Sequence, residues 1–335
     1  TELKGSQITK SAIMGPLLSR INNMNNALDY SKKHGIAIIT ILLFILLALT
    51  TDGFFTERNL RNILDQQSTI LIAASFMTIV IISGNFDISV SSIFVVSPLF
   101  ALLVENATGN IFLALIAGIG IGLAMGAFNA IVVTYFKVNS FIATLATSFM
   151  FFGLGYLISD RSLMRPMGDA YQQIARTKFF DITSATWLAL VVVIIASIIL
   201  TRTRFGRNVF ATGGNQEAAR LAGVNVSRVQ AATFILLGGA SALAGIVSSS
   251  RSMSAQPSDD FSFVFAVLTA VIVGGTSIAG GKGAIWRTVA AAFFLAFMSN
   301  GFNLNQIDPL WQRIILGLVI VIAVAIDSWS QRKNV

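Results

Sequence analysis

Arg202-Thr203-Arg204-Phe205-Gly206-Arg207 and, a few residues on, Gly213-Gly214-Asn215-Gln216-Glu217-Ala218-Ala219-Arg220-Leu221-Ala222-Gly223-Val224 make a polar, basic stretch stranded between two greasy runs. Each flanking run is apolar enough to cross a bilayer. The stretch and its edge hold five arginines (Arg202, Arg204, Arg207, Arg220, Arg228) and one acid, Glu217. Gln216 to Ala222 are good helix formers and Gly223 follows as a stop, so a short helix is predicted within the stretch. A cationic, partly helical segment held in water between membrane spans has two uses. Its arginines fix topology, or its helix meets another protein.

Composition places the rest of the chain in lipid. Mean hydropathy is +0.77, 55% of residues are hydrophobic and 11% are charged. A soluble domain carries about 25% charged residues. The 335 residues leave room for several spans and short loops, with no sizeable soluble domain. We therefore expect an all-α integral membrane protein, a polytopic bundle of about ten transmembrane helices with some short or broken segments. The transmembrane domain is expected at 36–330, with a cytoplasmic loop at 202–228 and an N-terminal cytoplasmic segment at 1–35. Within that segment Ile13, Leu17, Ile21, Met24 and Leu28 recur at helical steps, opposite Asn22, Asn23, Asn25 and Asn26. This pattern predicts an amphipathic helix on the inner membrane surface. The long polar lead before the first apolar run does not read as a cleavable signal peptide.

Apolar runs place the spans at 36–54, 63–83, 88–104, 111–135, 141–158, 185–201, 229–249, 263–281, 284–302 and 309–327. Such runs are helical in lipid because only helices satisfy their own backbone groups there. The third, with Ser89, Ser91, Ser92 and Pro98, reads as short or broken. The end of the eighth, Gly274 to Gly281, is too glycine-rich for a plain helix. With both termini inside, fifteen Lys and Arg fall on the cytoplasmic side and eight on the other, the bias that sets orientation. The net charge of +8 therefore serves topology, and no nucleic-acid partner is expected. The chain has no cysteine, which removes disulfides and thiolate chemistry.

In the fourth segment Gly118, Gly122, Gly126 and Ala130 share one face at four-residue spacing. Small residues there let two helix backbones approach closely, so helix packing is expected of this stripe. The seventh segment answers with Gly238, Gly239, Ala240, Ser241, Ala244 and Gly245. Asp87 lies in Gly84-Asn85-Phe86-Asp87-Ile88-Ser89-Val90-Ser91-Ser92, between apolar runs. It reads as a polar break near a substrate path or as the N-cap of the third helix, and the cap is favoured.

Catalytic signals are missing parts. His34 is the only histidine, so His-based metal sites and triads cannot be assembled. Thr276 to Gly283 contains Gly281-Lys282, yet a phosphate loop needs Gly at 276 and Ser or Thr at 283. No catalytic residue, metal site or bound cofactor is expected of this chain, and any nucleotide energy comes from a partner.

Several motifs carry a family resemblance. Gly206-Arg207 to Val224, Gly274 to Gly283 (GGTSIAGGKG) and Asn300-Gly301-Phe302-Asn303-Leu304 resemble signatures of the permeases of ribose/xylose/galactoside-type ABC sugar importers. Gly84 to Ser92 is similar to that family's GGIDLSVGS, with Asn85 and Ser91 at two of its glycines. The fifth segment lacks an Arg-Gly pair common in the family. The likeness spans about residues 36 to 330. It implies a multi-pass protein of the bacterial cytoplasmic (inner) membrane that translocates a monosaccharide, a pentose or hexose. It also implies two ABC ATPase subunits that bind ATP, an extracytoplasmic sugar-binding protein, and a second permease copy or paralogue. On this reading Gly214, Asn215, Glu217, Ala218, Ala219, Arg220, Leu221 and Gly223 form the ATPase-coupling element. Ala218, Ala219 and Leu221 supply packing, and Glu217 and Arg220 supply polar contacts.

The loops Asp160 to Asp181 and Arg251 to Asp260 are expected to face the binding protein or to act as plain connectors. Ser68, Ser75, Asn139, Ser140, Asn300 and Asn303 are the hydroxyls and amides available to a sugar path. An ion-coupled secondary transporter is the rival. It calls for inverted halves or intramembrane carboxylates, and no repeat is legible between 36–158 and 185–327. A membrane enzyme lacks its constellation, and a scaffold without transport remains the third reading.

Overall fold

The computed structural model describes residues 34–332, so the amphipathic helix expected at 13–28 lies outside the described residues. The helices are α1 (His34–Thr50), α2 (Glu57–Ile82), α3 (Val90–Thr108), α4 (Ile111–Thr134), α5 (Ser140–Ile158) and α6 (Ala170–Arg176). A small hairpin of β1 (Lys178–Phe179) and β2 (Ile182–Thr183) follows, paired antiparallel. Then come α7 (Ser184–Arg202), α8 (Arg204–Gly214), α9 (Gln216–Leu221), α10 (Val226–Ser252), α11 (Ser262–Val273), α12 (Ile285–Leu304) and α13 (Pro309–Arg332).

Local chemistry sets the starts of these helices. Thr56, Asn110, Asn139, Thr203, Asn215 and Asn225 each turn a side-chain oxygen onto free backbone N–H groups of the first turn. Such caps satisfy donors that have no carbonyl partner within the helix.

Every expected apolar run contains a helix. Seven helices among the described residues are long and apolar enough to cross a membrane: α2, α3, α4, α5, α7, α10 and α12. The apolar parts of α1, α11 and α13 are shorter, at 10–17 residues. The eighth run ends as its glycines predict. Its helix stops at Val273, because Gly275, Gly280 and Gly281 take the left-handed backbone and turn 274–284 into a loop. The basic stretch is also more helical than expected, since α8 fills Arg204 to Gly214.

The turns sort to two ends of the bundle. At the α9 end the Gly281 N–H donates to the Ile82 carbonyl at 2.9 Å and the Phe86 N–H to Ser140 Oγ at 3.1 Å. His34 and Trp286 pack there with tilted rings, centroids 5.3 Å apart. At the hairpin end Asn106 donates to the Arg165 carbonyl at 3.0 Å, Met164 bridges Ala255, and Asn305 donates to Thr51 at 3.1 Å. Lys137, Lys282, Arg287 and the arginines of 202–228 thus share one end, as their charge predicts.

The halves repeat in inverted order, which the sequence did not reveal. α2 is a long, mostly buried helix followed by a non-helical stretch and then α3, α4 and α5. α10 is another, running the opposite way, followed by a non-helical stretch and then α11, α12 and α13. α10 packs on α3 and α4; its counterpart α2 packs on α11 and α12. The starts of α3 and α11 meet: the Val264 N–H donates to Ser91 Oγ at 2.9 Å, and the Phe94 and Phe263 rings stack at 3.9 Å. Both starts carry the same turn. Asp87 Oδ1 accepts the Ser89 N–H and hydroxyl at 2.8 and 2.6 Å, and Asp260 Oδ1 accepts the Ser262 N–H and hydroxyl at 2.8 and 2.6 Å. From that meeting α11's 12 residues run about 18 Å to the α9 end, short of a full bilayer.

The glycine stripe of α4 lies against α10. A Cβ on Gly122 would fall 2.7 Å from the Gly238 carbonyl, one on Gly126 2.5 Å from the Phe234 carbonyl, and one on Gly118 2.8 Å from Ile246 Cδ1. This is backbone-to-backbone packing of the kind lipid cannot replace. The outward faces of α1, α4, α5 and α7 instead expose large aliphatic and aromatic side chains, among them Leu49, Phe112, Leu157 and Ile198.

Candidate functional site

Five of the six residues of α9 are exposed, and only Ala219 is buried. α8 is anchored beneath it: Gly206 fits against the Leu200 carbonyl, and Val209 and Thr212 are buried. Asn215 takes an extended backbone that separates α8 from α9, and its Oδ1 accepts the Ala218 N–H at 2.9 Å. Gly223, at φ 84°, ends the helix. The Ala222 and Val224 N–H groups then close on the Ala218 and Ala219 carbonyls, both at 3.0 Å. A six-residue helix has little propensity-driven stability of its own, so these caps are what hold it.

Its side chains divide into two sets. Ala219 is buried against its own chain, so the packing face turned outward narrows to Ala218 and Leu221. Leu221 is 82% exposed, a large apolar side chain at the tip of an otherwise polar surface. Glu217 and Arg220 pair at 3.0 Å, both mostly exposed, so their worth lies in presentation rather than stability. Gly214 is exposed at the end of α8, with open space around it. Beside α9 a cleft of about 340 Å³ is lined by Arg220, Gly223, Val224, Asn225, Val226 and Ser227.

Asp87 is not the N-cap of α3. That position is Ser89, and Asp87 sits two residues earlier in the break, fully buried. Its Oδ1 begins a buried chain. Ser89 Oγ donates to Oδ1 and takes the Asn129 amide at 2.6 Å, and Thr147 donates to Asn129 Oδ1 at 2.7 Å. Asp87 Oδ2 has no hydrogen-bond partner among the described residues. The break is real, but Asp87 fastens α3, α4 and α5 together and lines none of the described clefts.

Two clefts flank Phe265 on α11. The one toward the α9 end, about 470 Å³, is lined by Gly84, Phe86, Ile88, Asn139, Ser140, Phe141 and Leu268. The other, about 580 Å³, carries Gln67, Ser262, Thr269, Ser299 and Arg313 among apolar neighbours. Phe265 is 58% exposed and belongs to both. Of the six hydroxyls and amides read from the sequence, Asn139 and Ser140 line the first cleft. Ser68 and Ser75 are spent on carbonyls of their own helix, Asn300 on a reciprocal amide pair with Asn59 at 2.9 Å, and Asn303 on Gln312. Sequence reading missed Phe265 because one phenylalanine among 26 has no signal until its neighbours are known.

The hairpin end has a built surface as well. Glu105, buried at the end of α3, accepts the Met167 and Gly168 N–H groups at 3.1 and 3.2 Å and so shapes the turn before α6. Burial pushes the Tyr171 phenol up to about 12, so it stays protonated in its 2.6 Å bond with Ser249. A charged cleft of about 320 Å³ holds Glu57, Arg58, Arg61, Asp65, Lys178 and Asp181.

Comparison with known proteins gives a consistent picture. The family described as branched-chain amino acid transport system / permease component matches residues 59–324. The L-arabinose transport system permease protein AraH of Escherichia coli (strain K12) is 34% identical over 302 residues, 90% of this chain and 92% of that protein. The ribose import permease protein RbsC of the same strain is 33% identical over 300 residues, 88% of this chain and 94% of that protein. RbsC of Bacillus subtilis (strain 168) is 34% identical over 299 residues, covering 88% and 92%. No solved structure matches the chain.

Proposed function

The chain belongs to the branched-chain amino acid transport system / permease component family, and on that footing we propose that it is the membrane subunit of an ATP-driven importer that carries a monosaccharide. Relatives along nearly their whole length are permeases named for arabinose and ribose, which favours a pentose as cargo. It works as a permease without a catalytic site of its own. ATP is bound by two ATPase subunits beneath it, an extracytoplasmic sugar-binding protein docks on the hairpin end, and a second copy or paralogue completes the path. The inverted halves are a feature shared with ion-coupled transporters; the family and the exposed helix α9 favour the ATP-driven reading.

The observation that carries the mechanism is α9: a capped, outward helix with Ala218, Leu221, Glu217 and Arg220 facing away from the bundle at its most basic end. We assign it to a groove of the ATPase, with the α9 end in the cytoplasm and both termini on that side. Closure of the two ATPases presses on α9 and shifts the permease between two packings, one favoured by ATP. The sugar route we assign to the two clefts flanking Phe265. Its ring offers an apolar face to the C–H side of a sugar, Gln67, Ser299, Asn139 and Ser140 offer polar partners to the sugar's hydroxyls, and Thr269 and Ser262, which already donate to the Phe265 carbonyl and to Asp260, offer acceptor lone pairs.

Purified with the ATPase and binding protein encoded beside it and placed in liposomes, the complex is expected to accumulate D-ribose or L-arabinose only with ATP. Uptake that persists without ATP and follows an ion gradient would refute the reading. For the route, Thr269→Cys and Ser299→Cys in this cysteine-free chain are expected to react with a small methanethiosulfonate reagent and to be protected by the transported sugar. Labelling indifferent to sugar moves the route elsewhere.

A further inference from the structure

Three glycine-bearing turns from distant parts of the chain meet directly behind α9. The end of α8 supplies Gly213 and Gly214, the end of α2 supplies Ile82 to Gly84, and the loop after α11 supplies Gly280 and Gly281. A Cβ on Gly213 would collide with the Ile82 carbonyl oxygen and lie 2.7 Å from the Gly281 backbone nitrogen. One on Gly280 would lie 2.9 Å from the Gly213 carbonyl oxygen and 3.0 Å from Gly84 Cα; one on Gly281 would lie 2.8 Å from Gly214 Cα. The Gly281 N–H donates to the same Ile82 carbonyl at 2.9 Å. All the obstructing atoms are backbone, so no rotamer change relieves the clash. The buried hydroxyls of neighbouring Thr212 and Thr276 have no hydrogen-bond partner among the described residues, so side-chain hydrogen bonds from these two do not hold the junction.

The junction's position gives it consequence. α2 and its break belong to the first inverted half, and α11 with its loop belongs to the second. The first leads to Phe86 and Ile88, the second to Phe265 and Leu268, and these four residues line one cleft. We propose that Gly213 is a positioning residue at a rigid three-way joint through which displacement of α9 reaches both halves at once. This rests on the assignment of α9 as the coupling helix. A side chain at 213 wedges α8 off the end of α2, so α9 still meets the ATPase while its movement no longer arrives at the cleft.

The test uses the complete complex in liposomes, with radiolabelled D-ribose and L-arabinose as probes, and measures sugar moved per ATP hydrolysed. Gly213→Ala is expected to retain the ATPase subunits and ATP hydrolysis while transport per ATP falls at least tenfold. Gly120→Ala, where the structure shows open space, reports any general effect of the change and is expected to stay within twofold. Transport per ATP within twofold of the unaltered complex for Gly213→Ala overturns the proposal. If Gly213→Ala does not assemble, a second arm decides. Gln216→Cys, whose native side chain approaches Gly84, with Lys282→Cys is bridged by a short bis-methanethiosulfonate, and uptake is compared before and after bridging. A rigid joint predicts no loss; uptake abolished by the bridge means the joint opens during transport, and the proposal fails. The underlying assignment is tested separately by Leu221→Asp. If that change leaves ATPase association intact, α9 is not the coupling helix, whatever Gly213 does.

Discussion

Asp87 shows how much a single side chain can be asked to do without touching cargo. Its Oδ1 takes two donors from Ser89, and through Ser89 it holds Asn129 and Thr147 of the neighbouring helices. Those bonds need an acceptor oxygen rather than a charge. Asp87→Asn is therefore expected to fold and transport sugar close to the unaltered protein, whereas Asp87→Ala strands the buried partners at a cost of about 1–3 kcal/mol. Thermal melts in detergent, paired with uptake, check both. A well-folded Asp87→Asn that carries no sugar would give the carboxylate a functional role. At Gly122 the expectation is steric. Gly122→Val drives a side chain into the Gly238 carbonyl and should lower stability by about 1–3 kcal/mol, read from the same melts. The stripe was legible in the sequence because four-residue spacing of small residues has one simple use. The role of Asp87 was not, because Asn129 and Thr147, which it reaches through Ser89, lie 42 and 60 residues further along the chain.

Among the elements, α9 and α11 teach different lessons. The extent of α9 could be read in advance from its helix formers and Gly223. Which of its side chains turn outward depended on α8, an element the basic composition had concealed, and Ala219 proved to face inward. The φ of 84° at Gly223 excludes proline, whose ring holds φ near −65°. Gly223→Pro is expected to unwind the end of α9, and Glu217→Arg to break its exposed pair. Each should cut uptake at least tenfold while the chain still reaches the membrane, measured by transport in cells normalised to membrane content. Normal uptake in both would remove the coupling role. For α11 the apolar run at 263–281 overstates the helix by eight residues, and the glycines of 274–281 mark where it stops: Gly275, Gly280 and Gly281 leave helical backbone. The inverted arrangement escaped sequence reading. The two halves share little beyond Asp87-Ile88-Ser89 and Asp260-Phe261-Ser262, and three residues carry no weight until both are seen making the same turn.

At the scale of the whole molecule, charge and packing assign the same loops to the same end. This makes orientation testable in one experiment, since the chain is free of native thiols. Single cysteines at Lys137, Lys282 and Arg228 are expected to react with an impermeant maleimide only in inside-out vesicles, and those at Arg165 and Asp259 only in right-side-out cells. The opposite pattern would put α9 outside the cell, away from any ATPase, and remove the mechanism.

The brevity of α11 also bears on how the protein is made. A twelve-residue helix entered by non-helical chain cannot partition alone from a translocon into lipid, because the backbone leading to it has no hydrogen-bond ladder of its own. One of its opening N–H groups finds an acceptor in Ser91, which the ribosome delivered long before. Biogenesis must therefore run in order: the N-terminal half settles first and serves as the template on which the later half is laid. A nascent chain released after Val273 should hold its last segment in the bilayer only when residues 57–108 are present and intact, a dependence that glycosylation-site mapping would read directly.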